Sequence, residues 1–118
     1  MTMLIEGLNK IRDMIYDDID KGQLGTGGTA SAETDTGLET EDAATLLDLN
    51  AKTTSDKMIK FDYILLSTQG TTTTYKEFEL QESTTPTNYD RIVFTGLSFT
   101  NNGTEDIIIS KKYFIKRV

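Results

Sequence analysis

Cysteine, histidine and tryptophan are absent from this 118-residue chain, and proline occurs once, at Pro86. Without cysteine there is no disulfide framework and no thiolate to hold a metal. Without histidine, the usual general base and the commonest transition-metal ligand disappear together. No apolar run approaches the length that spans a bilayer. Met1–Ile5 is too short for a signal-peptide core, and the charges of Glu6, Lys10, Arg12 and Asp13 prevent its extension. The expectation is a chain made and kept soluble, or one that enters a particle from the cytoplasm.

The residues that are present point to one β-rich domain with a helical appendage. Twenty threonines stand in the chain, and this β-branched residue suits solvated strand faces. Net charge is −7 and unevenly placed: residues 1–50 carry eleven acids and three bases, residues 51–118 eight acids and nine bases. An acidic half argues against nonspecific nucleic-acid binding, which needs clustered cations to neutralise phosphates. The one basic cluster is Lys111, Lys112, Lys116 and Arg117. It reads as a solvated strand face, as a binding patch, or as a surface that meets the acidic half of a neighbouring copy.

The stretch that organises the chain is Gly25–Leu38, with Gly25, Gly27 and Gly28 followed by small hydroxyl and acidic residues. Such residues favour local turns over helix or sheet. It reads as a strap or hinge between an N-terminal helix and a C-terminal β unit. Before it, Leu4, Leu8, Ile11, Ile15 and Ile19 recur at helical spacing, with Met14 beside them. Gly22 sits where a helix C-cap belongs, and Asp17, Asp18 and Asp20 crowd the end where the helix dipole disfavours acids. Such a helix needs its apolar stripe buried, against its own β unit or against copies of itself. The expected division is a helix over 1–22, a strap over 23–56 and an antiparallel β domain over 57–118.

Residues 39–50 are ambiguous between a short helix, with Ala43, Leu46 and Leu47 turned inward, and an edge strand. Residues 52–56 read as a polar link. Lys57–Ser67 alternates, with Ile59, Phe61, Tyr63 and Leu65 on one face. Thr71–Gln81 reads as a second strand with Phe78 and Leu80 on one side and Glu77 and Glu79 on the other. A loop over Ser83–Asn88 precedes a third strand at Tyr89–Phe94, broken at Gly96 and resumed at Leu97 and Phe99. Asn101-Asn102-Gly103 suits a tight type I′ hairpin turn into a last strand over Glu105–Val118. The expected core is Ile59, Phe61, Tyr63, Phe78, Leu80, Ile92, Phe94, Ile107 and Ile109, in a small antiparallel β-sandwich with open edges.

Candidate chemistry is sparse. The glycine run lacks the Gly-Lys-Ser/Thr ending of a phosphate loop and follows a helix rather than a strand. Asp17, Asp18 and Asp20 lack the spaced pattern of a calcium loop. Glu77 and Glu79 share a face, like a glycosidase pair, but nothing sets their environments apart, so a polar sheet face is the plain reading. The serines have no histidine base. Asn102-Gly103-Thr104 is a glycosylation sequon, already explained by a turn. No catalytic, cofactor-binding or metal-ligating residues are expected.

Gly7-Leu8-Asn9-Lys10-Ile11-Arg12-Asp13, the Gly25–Leu38 stretch, Tyr75-Lys76-Glu77-Phe78-Glu79-Leu80 and Arg91-Ile92-Val93-Phe94 occur in that order. The set resembles a small family of tailed-phage and archaeal-virus structural proteins of the tail-fibre-like, or tail-collar-fibre-like, type. Ser31 stands where that pattern usually has proline, and Thr71–Thr74 replace its glycine-asparagine turn. The resemblance implies a non-enzymatic virion component, assembled in the host cytoplasm and repeated in a tail fibre, collar, baseplate or capsid decoration. Its partners would be itself, as a homo-oligomer and most simply a trimer, and other virion proteins, with no cofactor, nucleic acid or membrane. The assembly interface is expected at Leu4, Leu8, Ile11, Ile15, Ile19, Gly25, Gly27, Gly28 and Leu38. The rival class is a module at the tip of a viral appendage that binds a receptor or host-surface glycan through loops such as Ser83–Asn88.

Overall fold

A computed structural model describes residues 4–69, 73–82, 88–94, 99–100 and 106–116. The chain is mainly β, with one N-terminal helix and antiparallel sheets that share a core. Helix α1 (Ile5–Asp18) leads into strand β1 (Ile19–Gly25) with no residue between them. Next come a 3₁₀ turn (Ala43–Thr45), β2 (Leu47–Asp48), β3 (Ala51–Ser55), β4 (Met58–Leu65), β5 (Thr74–Tyr75), β6 (Glu77–Glu82), β7 (Asn88–Val93), β8 (Phe99–Thr100) and β9 (Ile107–Phe114). One sheet has the order β2-β1-β6-β7, a second β3-β4-β9, and β5 pairs with β8 alone.

The strongest element is β4, whose residues alternate between buried and half-buried as its sequence requires. Ile59, Phe61, Tyr63 and Leu65 point into the core, where Tyr63 meets Phe78 of β6 edge-to-face at 5.1 Å. Six of the nine expected core residues are buried, and Ile92, Phe94 and Ile109 pack against them. Ile19, Leu24 and Tyr75 complete the core.

Several sequence expectations change. The helix stops at Asp18 rather than reaching residue 22, because Ile19 turns extended and carries the chain into a two-sided ladder with β2 and β6. Gly22 is therefore a mid-strand residue rather than a helix cap. A Cβ there would lie 2.6 Å from Tyr63 Cδ2 and 2.9 Å from Phe78 Cε1, so a ring contact in the core demands glycine. The acids at the helix end are answered from a distance. The Lys52 ammonium, on β3, donates to the carbonyls of Tyr16 and Ile19 at 2.7 and 3.1 Å and to Asp20 at 3.0 Å, which supplies the cation that the helix terminus lacks.

Residues 51–55 are a paired strand and not a link, in register with β4 from Ala51↔Asp62 to Ser55↔Met58. The turn between them places Lys57 in the left-handed region at φ 58°, and its N–H donates to Asn9 Oδ1 of the helix at 2.8 Å. The ambiguous segment resolves into both expected forms in miniature, one 3₁₀ turn and then an edge strand. Thr45 is fully buried and Leu47 packs on the core as expected, while Ala43 and Leu46 are exposed. The Thr45 hydroxyl accepts from Leu24 N–H, and its carbonyl accepts from the Tyr63 hydroxyl at 2.6 Å.

The expected strand over 71–81 divides at Lys76 into β5 and β6. The Asn101-Asn102-Gly103 turn lies outside the described residues, as do Gly96 and residues 83–87. Of the strands on either side of it, β8 pairs with β5 and β9 with β4.

Candidate functional site

The site grows from two facts about β6. It is the second interior strand of its sheet, and it carries glutamates at alternate positions. Phe78 and Leu80 face the core, so Glu77 and Glu79 face the other way, beneath the strap. Both are buried, at 0% and 2% exposure, where the sequence suggested no more than a polar sheet face.

The carboxylate of Glu77 is a backbone clamp. Its Oε2 accepts from Gly27 N–H at 2.7 Å and Thr40 N–H at 2.9 Å, and Oε1 accepts from Glu39 N–H at 2.8 Å. Arg91 Nε, from β7, also donates to Oε1 at 2.8 Å. The two ends of the strap are thus tied to one side chain and to each other, with Thr26 N–H donating to Thr40 O at 2.9 Å. Arg91 also reaches Asp35 at 3.1 Å, and Asp35 accepts from Ala32 N–H. This pins the strap's outer turn. The Glu77 carboxylate is a buried charge retained because both of its oxygens are hydrogen-bonded.

The need for glycine stems from that closeness. A Cβ at Gly25 would lie 2.5 Å from Thr40 O and 2.6 Å from Glu77 Oε2, and one at Gly27 2.5 Å from Glu39 Cβ and 2.6 Å from the same carboxylate oxygen. At Gly28 the nearest atom is 3.7 Å away. Two glycines let the backbone reach the carboxylate, and the third has open space.

Burial raises the Glu77 pKa, but the N–H groups of Thr40, Glu39 and Gly27 and the Arg91 guanidinium outweigh it and leave the carboxyl below its usual range. Glu79 goes the opposite way. Burial first, then the charges of Glu41 and Glu77, push it up to about 7, against a hydrogen bond from Leu38 N–H. Its Oε2 and the Nη2 of Arg91 are buried without a hydrogen-bond partner among the described residues. Two carboxyls two residues apart therefore differ in protonation through their surroundings alone. A groove of about 420 Å³ runs beside the strap, lined by Ser31, Glu33, Asp35, Asp90 and Arg91 among others.

The residues expected at an interface separate into groups. Gly25, Gly27 and Leu38 come together over the chain's own β6, while Gly28 is exposed. In the helical stripe, Leu8 and Ile19 are buried and Ile15 packs on the core. Leu4 and Ile11 are exposed, at 69% and 38%, with Met14 at 61%. The stripe is thus divided between the protein's own core and its surface. Reasoning from sequence missed Glu77 and Arg91 as the centre. The available signal was a glutamate at a strand position, with an arginine on the next strand and closely spaced glycines upstream.

Among the described residues there is no group of three or more His, Cys, Asp or Glu side chains placed to hold a metal ion. No described helix is long and apolar enough to cross a membrane. Comparison with family models, with characterised proteins and with solved structures gives no match.

Proposed function

We propose that this chain is a non-enzymatic structural protein of a virus particle, repeated as a homo-oligomer in a tail fibre, collar, baseplate or capsid decoration. The virion part of this reading is supported by the order and spacing of the motifs in the sequence. The assembly part is carried by one observation: large apolar side chains stand in solvent on two separate faces. Leu4 and Met14 on the helix are 69% and 61% exposed, and Ile108 and Phe114 on β9 are 64% and 61% exposed. Exposed apolar surface of this kind marks association sites. The most acid-rich spot serves architecture, since all four donors to Glu77 come from the protein itself.

Sedimentation velocity over a concentration series tests assembly, with a trimer as the expected product. A monomer at millimolar concentration would refute it. Antibody labelling of particles from a producing cell tests the location.

A second reading is favoured by the groove beside the strap, where Ser31, Glu33, Asp35 and Asp90 offer hydroxyl and carboxylate groups suited to sugar hydroxyls. In it, the chain is a receptor- or glycan-binding module at an appendage tip. Selective retention of one glycan class on an array, lost with Glu33→Ala at the exposed lining of the groove, would favour this reading over the first.

A further inference from the structure

The outer face of the β4–β9 ladder has an unusual layout. Across it, Met58 lies opposite Phe114, Lys60 opposite Lys112, Asp62 opposite Ser110 and Ile64 opposite Ile108. Two apolar pairs thus bracket a pair of lysines. Like charges directly opposite on a sheet repel. Asp62 lies 3.7 Å from the Lys60 ammonium, and Lys112 has no ion-pair partner among the described residues. Lys116 lies beyond, near the Phe114 ring. The face is therefore apolar at both ends and basic in the middle, and its Phe114 and Ile108 are mostly in solvent.

Elsewhere in the same chain is a surface of matching character. Helix α1 turns Leu8 and Ile15 to the core, which leaves Leu4, Ile11 and Met14 as a flank at helical spacing on the solvent side. Glu6, Asp13 and Asp17 stand exposed beside it with Lys10 among them, and Asp13 is paired with Arg12 at 2.7 Å, which leaves the flank acidic on balance. From Leu4 to Met14 the helix rises about 15 Å. The two apolar pairs on the ladder are about 20 Å apart, a separation that side chains at either end bridge.

We infer that the acidic, apolar flank of α1 in one copy docks on the basic, apolar outer face of β4–β9 in the next. The inference rests on the self-assembly reading and specifies which surfaces meet. The partner is a second copy because the required pattern, apolar residues with carboxylates beside them, is carried by this chain's own N-terminal half. The lysine pair then finds carboxylates, and complementary charge sets the register. The two surfaces are different patches, so the contact is head-to-tail and closes into a ring or continues as a filament. A three-fold rotation gives the trimer.

Charge reversal of the full chain tests this. Lys60→Glu with Lys112→Glu makes both surfaces acidic, and Asp13→Lys with Asp17→Lys makes both basic. Circular dichroism checks that each variant folds. Each alone should associate at least about tenfold more weakly than the parent chain in sedimentation velocity. A one-to-one mixture should recover association as mixed pairs and even-membered assemblies, because an acidic surface there meets a basic one, while a closed ring of three, which cannot alternate, should stay weak. High salt should weaken the mixture's assembly. Parent-like assembly of either variant alone, or failure of the mixture, would overturn the docking while self-assembly stands. A parent chain that stays monomeric would overturn self-assembly itself.

Discussion

Replacement of Glu77 by glutamine asks how much one buried side chain holds in place. Glutamine keeps the shape but exchanges one acceptor oxygen for an NH₂ group. In the parent, Oε2 serves Gly27 and Thr40 while Oε1 serves Glu39 and Arg91. Whichever way the amide turns, two donors face another donor. A buried donor left unmet costs about 1–3 kcal/mol, so Glu77→Gln should lose about 2–6 kcal/mol. A loss near the middle of that range lowers the thermal midpoint by roughly 15 °C in a chain of this size.

Urea denaturation gives the free energy, and amide hydrogen exchange tells where it is lost. Protection should fall at Gly27, Glu39 and Thr40 more than along β4, because the strap can lift while the ladders persist. The folded pKa of Glu77 lies below its usual 4.5, so the clamp's contribution is complete above that value and fades in stronger acid. Parent and variant should therefore converge as pH falls. A Glu77→Gln protein within 1 kcal/mol of the parent at neutral pH, with the three amides still protected, would refute the clamp.

The same geometry sets other outcomes. Glu79 binds its proton more tightly folded than unfolded, so its contribution is full below about 4.5 and is lost as pH rises through about 7. The decline is at most about 3 kcal/mol, and Glu79→Gln should abolish it in urea melts compared at pH 5 and pH 8. Gly25→Ala and Gly27→Ala should each cost about 1–3 kcal/mol by overpacking, while Gly28→Ala should stay within about 0.5 kcal/mol, as thermal melts will show. Leu8→Ala should destabilise the folded chain by about 2–4 kcal/mol. Ile11→Ala should leave monomer stability nearly unchanged and weaken association instead, so a large stability loss at Ile11 would contradict the division of the stripe.

The strand-rich half was readable because Ile59, Phe61, Tyr63 and Leu65 alternate without interruption, and period two has one meaning over such a run. The helix was readable in kind but not in extent. Ile19 continues the 3.6 spacing and equally opens a strand, and only its long-range ladder to β6 decides between them. Residues 51–55 contain no large apolar side chain, so their pairing was invisible; a partner in β4 makes them a strand. The clamp was hidden for a different reason. Glu77 and Glu79 look alike in sequence, and the difference between them comes from the N–H groups of a loop that returns from far upstream. Period two placed both glutamates on the face away from Phe78 and Leu80, but could not show that the strap covers it.

The direct passage from α1 into β1 bears on how the chain folds as it is made. β1 finds its main partner in β6, far later in sequence, and β4, paired at once with β3, meets its second partner, β9, far later too. Contacts of such long separation close slowly. The helix cannot settle early on a finished scaffold, because the strand it is fused to has only the two-residue β2 beside it until β6 has been made. Until then Leu8 and Ile15 lack the core they pack on, and a chaperone that shields apolar surface would hold the nascent chain there.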